Sequence, residues 1–357
     1  MTILHEACQR GDLDFVRNFL SRPDADVNAR DAEEGLTPLL AATEHLPMVQ
    51  FLCQQGANVM PTDNFGRTFL HIATYRGHAP VIEWLLEGYK QQQHPGDDSS
   101  SSHNKSCRGN PWAECIDQAN ETALHYAAYR GNLQIAHYLI ELGQVDILAR
   151  NRLGKTALTL ARQAEELPLV SYLNSLILLS NACKCQENDL LKRLLQAGVF
   201  AKFRFGRNGD QLIHGVCQDG NLEGARILHK YGDKVDWDIP SGSGKTPLHY
   251  AARMGRDQVV RWLCEQGVAV DRPCPVGSSA FVISVLVGHV DVAKVLLQFG
   301  ADVNYRDSSG VTPIHQFSWL VRKDAYLWSV FCWTMERPCN GIVEDGYPFI
   351  QRVVLDI

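Results

Sequence analysis

The chain has 357 residues, 45% hydrophobic and 21% charged, which supplies a core and still solvates a surface. Its net charge of −6 argues against binding nucleic acid or an anionic membrane through bulk charge. Met1 to Arg10 includes His5, Glu6 and Arg10 and lacks the apolar core of a secretion signal, while the longest apolar run, Ala280 to Leu297, is broken by His289, Asp291 and Lys294. No membrane insertion is therefore expected, and the composition predicts a soluble intracellular protein of the cytoplasm, the nucleus or both.

Along the chain, threonine-like helix starts recur at Thr2, Thr37, Thr68, Thr122, Thr156, Ile177, Gln211, Thr246, Ser279 and Thr312, mostly 31 to 35 residues apart. A threonine caps a helix start, and Pro247 and Pro313 suit the first helical position, where an N–H has no partner anyway. Glycines nine residues after the start, such as Gly77 and Gly131, end a first helix with a positive φ. A second apolar helix follows, as in Val259–Leu263, and stops at another glycine, as at Gly267. Such a helix pair cannot bury its own apolar face, so stability comes from stacking on neighbours.

The cleanest units read Thr122-Ala-Leu-His-Tyr-Ala-Ala-Tyr-Arg-Gly131 and Thr246-Pro-Leu-His-Tyr-Ala-Ala-Arg-Met-Gly255. This pattern resembles the ankyrin family, whose signature is T-P-L-H-x-A on a period of about 33 residues. The resemblance covers Thr2 to His315 and implies an all-α repeat solenoid of stacked helix–turn–helix units with β-hairpin fingers. Three repeats are expected in residues 1–88 and two in 118–178, with a degenerate sixth, repeats seven to nine and the start of a terminal repeat in 179–315.

Three segments depart from the period. Residues 89–117 lengthen one period to 54; with Gln91-Gln-Gln and Ser99-Ser-Ser-Ser102 they read as a flexible insertion. Thr156 and Ile177 are only 21 residues apart, so this junction lacks a finger, and Glu165 and Gln186 replace its turn glycines. The array is expected to bend or split there. Residues 316–357, with Trp319, Trp328, Phe331 and Trp333, read as a divergent cap or tail without a SOCS-box pattern.

Motifs that suggest chemistry have simpler structural readings. Gly244-Lys-Thr246 resembles the end of a phosphate-binding loop, but Ile239 stands where that loop needs a glycine, and Gly154-Lys-Thr156 fills the same repeat slot. His5, His71, His125, His214, His249 and His315 share the TPLH slot; the resemblance gives them a hydrogen-bonding role between helix and finger. His94, His103, Cys107 and Cys115 lack compact zinc-ligand spacing. Cys8, Cys183 and Cys217 occupy alanine slots, and Cys53 and Cys264 occupy apolar helix rows, as small buried hydrophobes do. No enzyme activity, cofactor, metal or small-molecule substrate is expected.

In ankyrin arrays the two positions before the first-helix glycine face the concave groove, beside the fingers. Here they hold Tyr75-Arg76 and Tyr129-Arg130, as well as Gln9-Arg10 and Arg253-Met254, and the middle fingers add Arg150, Arg152, Lys155, Lys202, Arg204 and Arg207. The resemblance implies a scaffold or adaptor that binds a protein partner there, and this tyrosine–arginine surface suits an acidic or phosphorylated segment. Exposed cations also solvate repeat loops without a ligand. Two other roles stay open: the regulatory region of a larger enzyme or channel assembly, and, on the Gly244-Lys-Thr246 fragment alone, a nucleotide-using enzyme. Leu20, Asp26, Val27 and Asn28 share the spacing of Leu296, Asp302, Val303 and Asn304, so Asn28 and Asn304 resemble the family's hydroxylated asparagines; a consensus turn asparagine is the simpler reading.

Overall fold

A computed structural model describes residues 2–92, 112, 115–205, 209–232, 235–302 and 305. Helices alternate along it in pairs. The first unit begins α1 (Ile3–Arg10), α2 (Leu13–Leu20), α3 (Pro38–Ala41), α4 (Leu46–Gln54), α5 (Phe69–Arg76) and α6 (Ala79–Gln92). It continues with α7 (Ala123–Arg130), α8 (Leu133–Glu141), α9 (Ala157–Gln163) and much of α10 (Leu167–Lys184). After α11 (Asn188–Gln196) and the short strands β1 (Arg204–Phe205) and β2 (Asp210–Gln211) come α12 (Leu212–Asp219) and α13 (Leu222–Tyr231). The pairs α14 (Pro247–Arg253) with α15 (Asp257–Glu265) and α16 (Ala280–Val287) with α17 (Val290–Gln298) follow.

Each first helix is tied down by its own start. Thr37 Oγ1 accepts the Leu40 N–H at 3.3 Å. At Thr68 a histidine one turn later does the work: His71 Nδ1 accepts the Thr68 N–H at 3.2 Å, and the ring's Nε2–H donates to the Glu121 carbonyl of the next repeat at 3.0 Å. His125 does the same between Thr122 and Lys155, and His249 between Thr246 and Ser278. At the other end, Gly77 takes φ +85° and its N–H closes on the Ala73 and Thr74 carbonyls. A side chain at that backbone angle is strained, which is why glycine recurs at this slot.

First helices pack on first helices: α1 on α3, α3 on α5, α5 on α7 and α7 on α9. Second helices stack likewise, α4 on α6 and α6 on α8. The small residues Ala73, Ala127 and Ala128 are fully buried and let the first helices approach closely, while Leu70, Leu124, Ile82 and Ile135 fill the space between layers. Each such aliphatic side chain contributes roughly 1.5–3 kcal/mol on burial. Cys8, Cys183 and Cys217 are buried free thiols, and burial pushes the first two up to about 12. They act as apolar filler.

Strand pairing in the fingers is sparse among the described residues, with one isolated antiparallel bridge between Thr62 and Thr68 besides the β1–β2 pair. Several tips are tight turns closed by a backbone hydrogen bond, Asp63 N–H to Arg67 O at 3.0 Å, Asn151 N–H to Lys155 O at 3.0 Å and Ser241 N–H to Lys245 O at 2.9 Å. A side chain does the rest: Asp63 Oδ1 accepts the Phe65 and Arg67 N–H groups, and Asn151 Oδ1 those of Leu153 and Lys155. Among the described residues only β1 and β2 form a two-stranded ladder, pairing Arg204 with Gln211 and Phe205 with Asp210. An Asx turn satisfies the tip locally, which leaves little backbone to pair across the finger.

The short junction has a simple cause. The second helix of one repeat and the first helix of the next are one continuous helix, the 18-residue α10. Leu169, Leu173, Leu176 and Leu179 bury one side of it. Because no finger intervenes, the fingers before and after the junction meet directly: Ile147 N–H donates to Arg204 O at 3.4 Å, and Gln144 Nε2 to Lys202 O at 3.0 Å. Glu165 and Gln186 hold the left-handed angle that glycine holds elsewhere, at φ +59° and +58°.

Packing divides the chain into two compact units, residues 1–181 with 194–212, and 182–193 with 213–357. In the second, α14 packs on α16, and α13, α15 and α17 pack in series. Within the insertion expected at 89–117, α6 runs to Gln92, and Asp117 donates its N–H to Glu121 O in the next finger. The middle of the insertion, apart from the buried Trp112, and the tail 316–357 lie outside the described residues. Among the described residues no helix is long and apolar enough to cross a membrane.

Candidate functional site

The C-terminal ends of α5, α7 and α9 and the fingers beside them enclose a cavity of about 420 Å³ within the first unit. Its walls include Tyr75, Tyr126, Tyr129, Leu153, Leu160 and Lys155. The repeat spacing brings these together: Tyr75 and Tyr129 hold equivalent slots one residue from the end of successive first helices, and Leu153 sits at a fingertip just before Gly154. All three are exposed, at 45%, 66% and 78%.

The aromatic wall is braced. Tyr126 lies edge-on to His71 at 5.5 Å and to Tyr75 at 6.1 Å between ring centroids. Its hydroxyl donates to Asp117 Oδ2 at 2.8 Å, and burial with the neighbouring Asp117 carboxylate raises its pKa. Arg130 places its guanidinium over the Tyr75 ring, 5.2 Å from the centroid. Such a stack is favourable and leaves the guanidinium edge available to an anion.

The tyrosine–arginine pairs thus split into different tasks. Tyr75 and Tyr129 line this cavity, and Arg130 stacks on Tyr75. Arg76 turns away: its Nη1 donates to Ala41 O at 3.3 Å and Thr43 Oγ1 at 3.0 Å and lies 3.6 Å from Glu44 Oε1, so it ties α5 to the preceding repeat. Arg150 donates to Gly154 O of its own finger at 2.9 Å, and Arg152 is exposed in the same finger. Lys202 and Arg204 are half-buried in the finger that follows the junction and do not line the cavity. Arg207 lies outside the described residues. The sequence reading missed Tyr126, Leu160 and the fingertip Leu153; an apolar residue in a turn slot was the available signal for Leu153.

Asn28 is exposed in the first finger. Its N–H donates to Asp26 Oδ1 at 2.8 Å, and its own Oδ1 accepts the Asn58 N–H of the next finger at 2.8 Å. Asp238 and Asp271 repeat that link in the second unit, accepting the N–H groups of Ala269 and Asp302. Asn304 lies outside the described residues.

Family models described as ankyrin repeats match residues 4–95, 104–176 and 179–274, and a further one matches 285–319. The chain belongs to the ankyrin-repeat family. Among similar proteins, Rabankyrin-5 of Homo sapiens is 26% identical over 93% of this chain and 26% of its own length. NF-kappa-B inhibitor zeta of Mus musculus is 23% identical over 88% of this chain and 34% of its own length. The transient receptor potential cation channel subfamily A member 1 homolog of Caenorhabditis elegans is 28% identical over 56% of this chain and 14% of its own length. The chain spans less than half the length of these curated relatives.

The ankyrin-repeat slots also account for the residues that suggested chemistry. His71, His125 and His249 are each joined to the finger of the next repeat, and burial lowers the pKa of all three. In Gly244-Lys-Thr246, the Gly244 N–H donates to Ser241 O at 2.8 Å and the Thr246 N–H to His249 Nδ1 at 3.1 Å. These amides close a finger and cap a helix, so they are not free to cradle a phosphate. Among the described residues no cluster of His, Cys, Asp or Glu has a metal-binding arrangement. His94, His103 and Cys107 lie outside them.

Proposed function

We propose that the chain is a protein–protein interaction module, a scaffold or adaptor whose partner sits across the first-helix ends and fingers of the first unit. The observation that carries this reading is the row formed by exposed Tyr75 and Tyr129 with Arg130 stacked on it. Tyrosines supply rigid contact area at small entropic cost, and an arginine fork beside them takes a carboxylate or phosphate. Arg150, Arg152, Lys202 and Arg204 lie in the fingers that follow. Affinity capture of the full chain from cells, with mass spectrometry, identifies the partner. Replacing Arg130 and Arg152 together by alanine weakens that partner by roughly 1–3 kcal/mol with the fold intact, and added salt weakens it as well. Arg261→Ala, on α15, leaves it unchanged. A partner indifferent to the Arg130/Arg152 double variant sinks the reading.

A second reading is favoured by one finding: the chain spans only 14% of the channel relative and 26% of Rabankyrin-5. It makes this the regulatory ankyrin region of a larger assembly, and recovery of the same channel or enzyme subunit in stoichiometric amounts supports it.

Asn28 and Asn304 are proposed as sites of asparagine hydroxylation. The exposure of Asn28 supports this, and its link to Asn58 gives the unmodified residue a structural use as well. A gain of one oxygen on either residue, in protein from hydroxylase-containing cells, establishes the modification; none on both removes it.

A further inference from the structure

The cavity beside Tyr75 and Tyr129 has polar groups at its edges that are already occupied. Glu121 Oε1 accepts from Asn151 Nδ2 at 2.9 Å. Asn151 Oδ1 accepts two finger amides, and His125 is engaged at both ring nitrogens. The Tyr126 hydroxyl is held by Asp117, and Lys155 Nζ donates to Gln163 Oε1 at 3.0 Å. What these walls offer an incoming group is carbon: the rings of Tyr75, Tyr126 and Tyr129 and the aliphatic chains of Leu153 and Leu160.

A neutral polar side chain entering here would give up water and find many of the wall's polar groups engaged, which costs free energy, while the Lys155 ammonium keeps donors for an acidic group. An apolar side chain loses nothing polar and gains burial against pre-braced rings. At about 420 Å³ the space accommodates a large side chain with room for its backbone to pass the mouth. Arg130 stacks its guanidinium fork on Tyr75, one of the lining rings, and Lys155 is part of the wall, so the charge around the site is positive. The charge complement of that fork is a carboxylate.

We infer that the cavity is an anchor pocket for one large apolar side chain of an extended partner segment, with a carboxylate beside that side chain meeting Arg130. This rests on the proposed partner-binding face and specifies its chemistry: the apolar anchor provides the buried centre and the acidic neighbour the orientation. Hot spots commonly combine a pocket-filling side chain with a flanking ion pair in this way.

Arrays of short peptide pools test it on the full chain. Each pool fixes its central residue as Phe, Leu or Ala, with flanks rich in Asp or in Lys. Two variants accompany the wild type. Ala164→Trp fills the pocket from an exposed helix-end position whose φ of −83° any residue adopts, and Leu153→Ser removes the exposed apolar fingertip. The expected result is retention of Asp-flanked Phe or Leu pools, about tenfold above the Ala pool, the scale of one interface anchor. Both variants abolish that preference while melting like the wild type. Asp-flanked pools held equally with any centre, and unchanged by Ala164→Trp, overturn the pocket but leave the arginine-bearing face standing. Lys-flanked or uncharged pools held in preference overturn both. A concentration-dependent dimer that Ala164→Trp dissolves assigns the pocket to a second copy of the chain and also overturns the inference.

Discussion

His249 shows how one residue holds a repeat together. It is 1% exposed, with Nδ1 accepting from Thr246 and Nε2–H donating to Ser278 O, and burial lowers its pKa from 6.5 to about 4. The folded state therefore favours the neutral ring more than the unfolded state does. Its contribution is fully present above pH 6.5 and is lost as the pH falls from 6.5 toward 4. His249→Gln should cost on the order of 1–3 kcal/mol near neutral pH, the scale of broken buried hydrogen bonds, and the gap to wild type should shrink as the pH approaches 4. Urea unfolding at two pH values measures this; a pH-independent gap would refute it. The histidine slot was legible in the sequence because it recurs in phase with Thr and Gly. The diversion of Arg76 was not. Its slot matches Arg130, but Thr43 and Glu44 of the preceding repeat lie within its reach, and only tertiary packing reveals that.

At the scale of the element, the repeat pattern located helices and their ends because both depend on local chemistry: a capping residue, small inner residues and a left-handed stop. It missed the continuity of α10, since the absence of a finger says only that chain is lacking, not that two helices have fused. It could not separate hairpin fingers from Asx-turn fingers, because the two share the same Asp, Asn and Gly signals. The two ends that lack glycine carry a testable cost. Glu165 and Gln186 are exposed residues at positive φ, where a non-glycine residue loses roughly 1 kcal/mol. Glu165→Gly and Gln186→Gly should each stabilise the chain by about that amount, less whatever glycine adds to unfolded-state entropy. Gly77→Ala, at φ +85°, should destabilise it. Thermal melts of the three variants decide the matter, and a destabilised Glu165→Gly would show that strain is not what that position carries.

For the whole molecule, the first boundary between the two units falls between Asn181 and Ala182, inside the helix that replaces a finger, and the chain crosses again after Arg193 and after Leu212. In repeat arrays each repeat is stabilised chiefly by its neighbours, so cooperativity is passed from interface to interface and is lost first where an interface is atypical. This junction combines two strained helix ends with a missing finger, which makes it the place where coupling should be weakest. Leu263 tests the point. It is fully buried in α15 of the second unit, so Leu263→Ala should cost about 2–5 kcal/mol there through lost transfer energy and a cavity. If coupling across the junction is weak, hydrogen exchange should accelerate in α13 to α17 and leave α5 to α9 at wild-type protection. In the unsubstituted chain the same two groups of helices should show distinct protection, as stability that is not uniform along a structure requires. Acceleration of α5 to α9 in step with α15 would mean that α10 transmits stability as well as any ordinary interface, and that a finger is dispensable for carrying cooperativity through the stack.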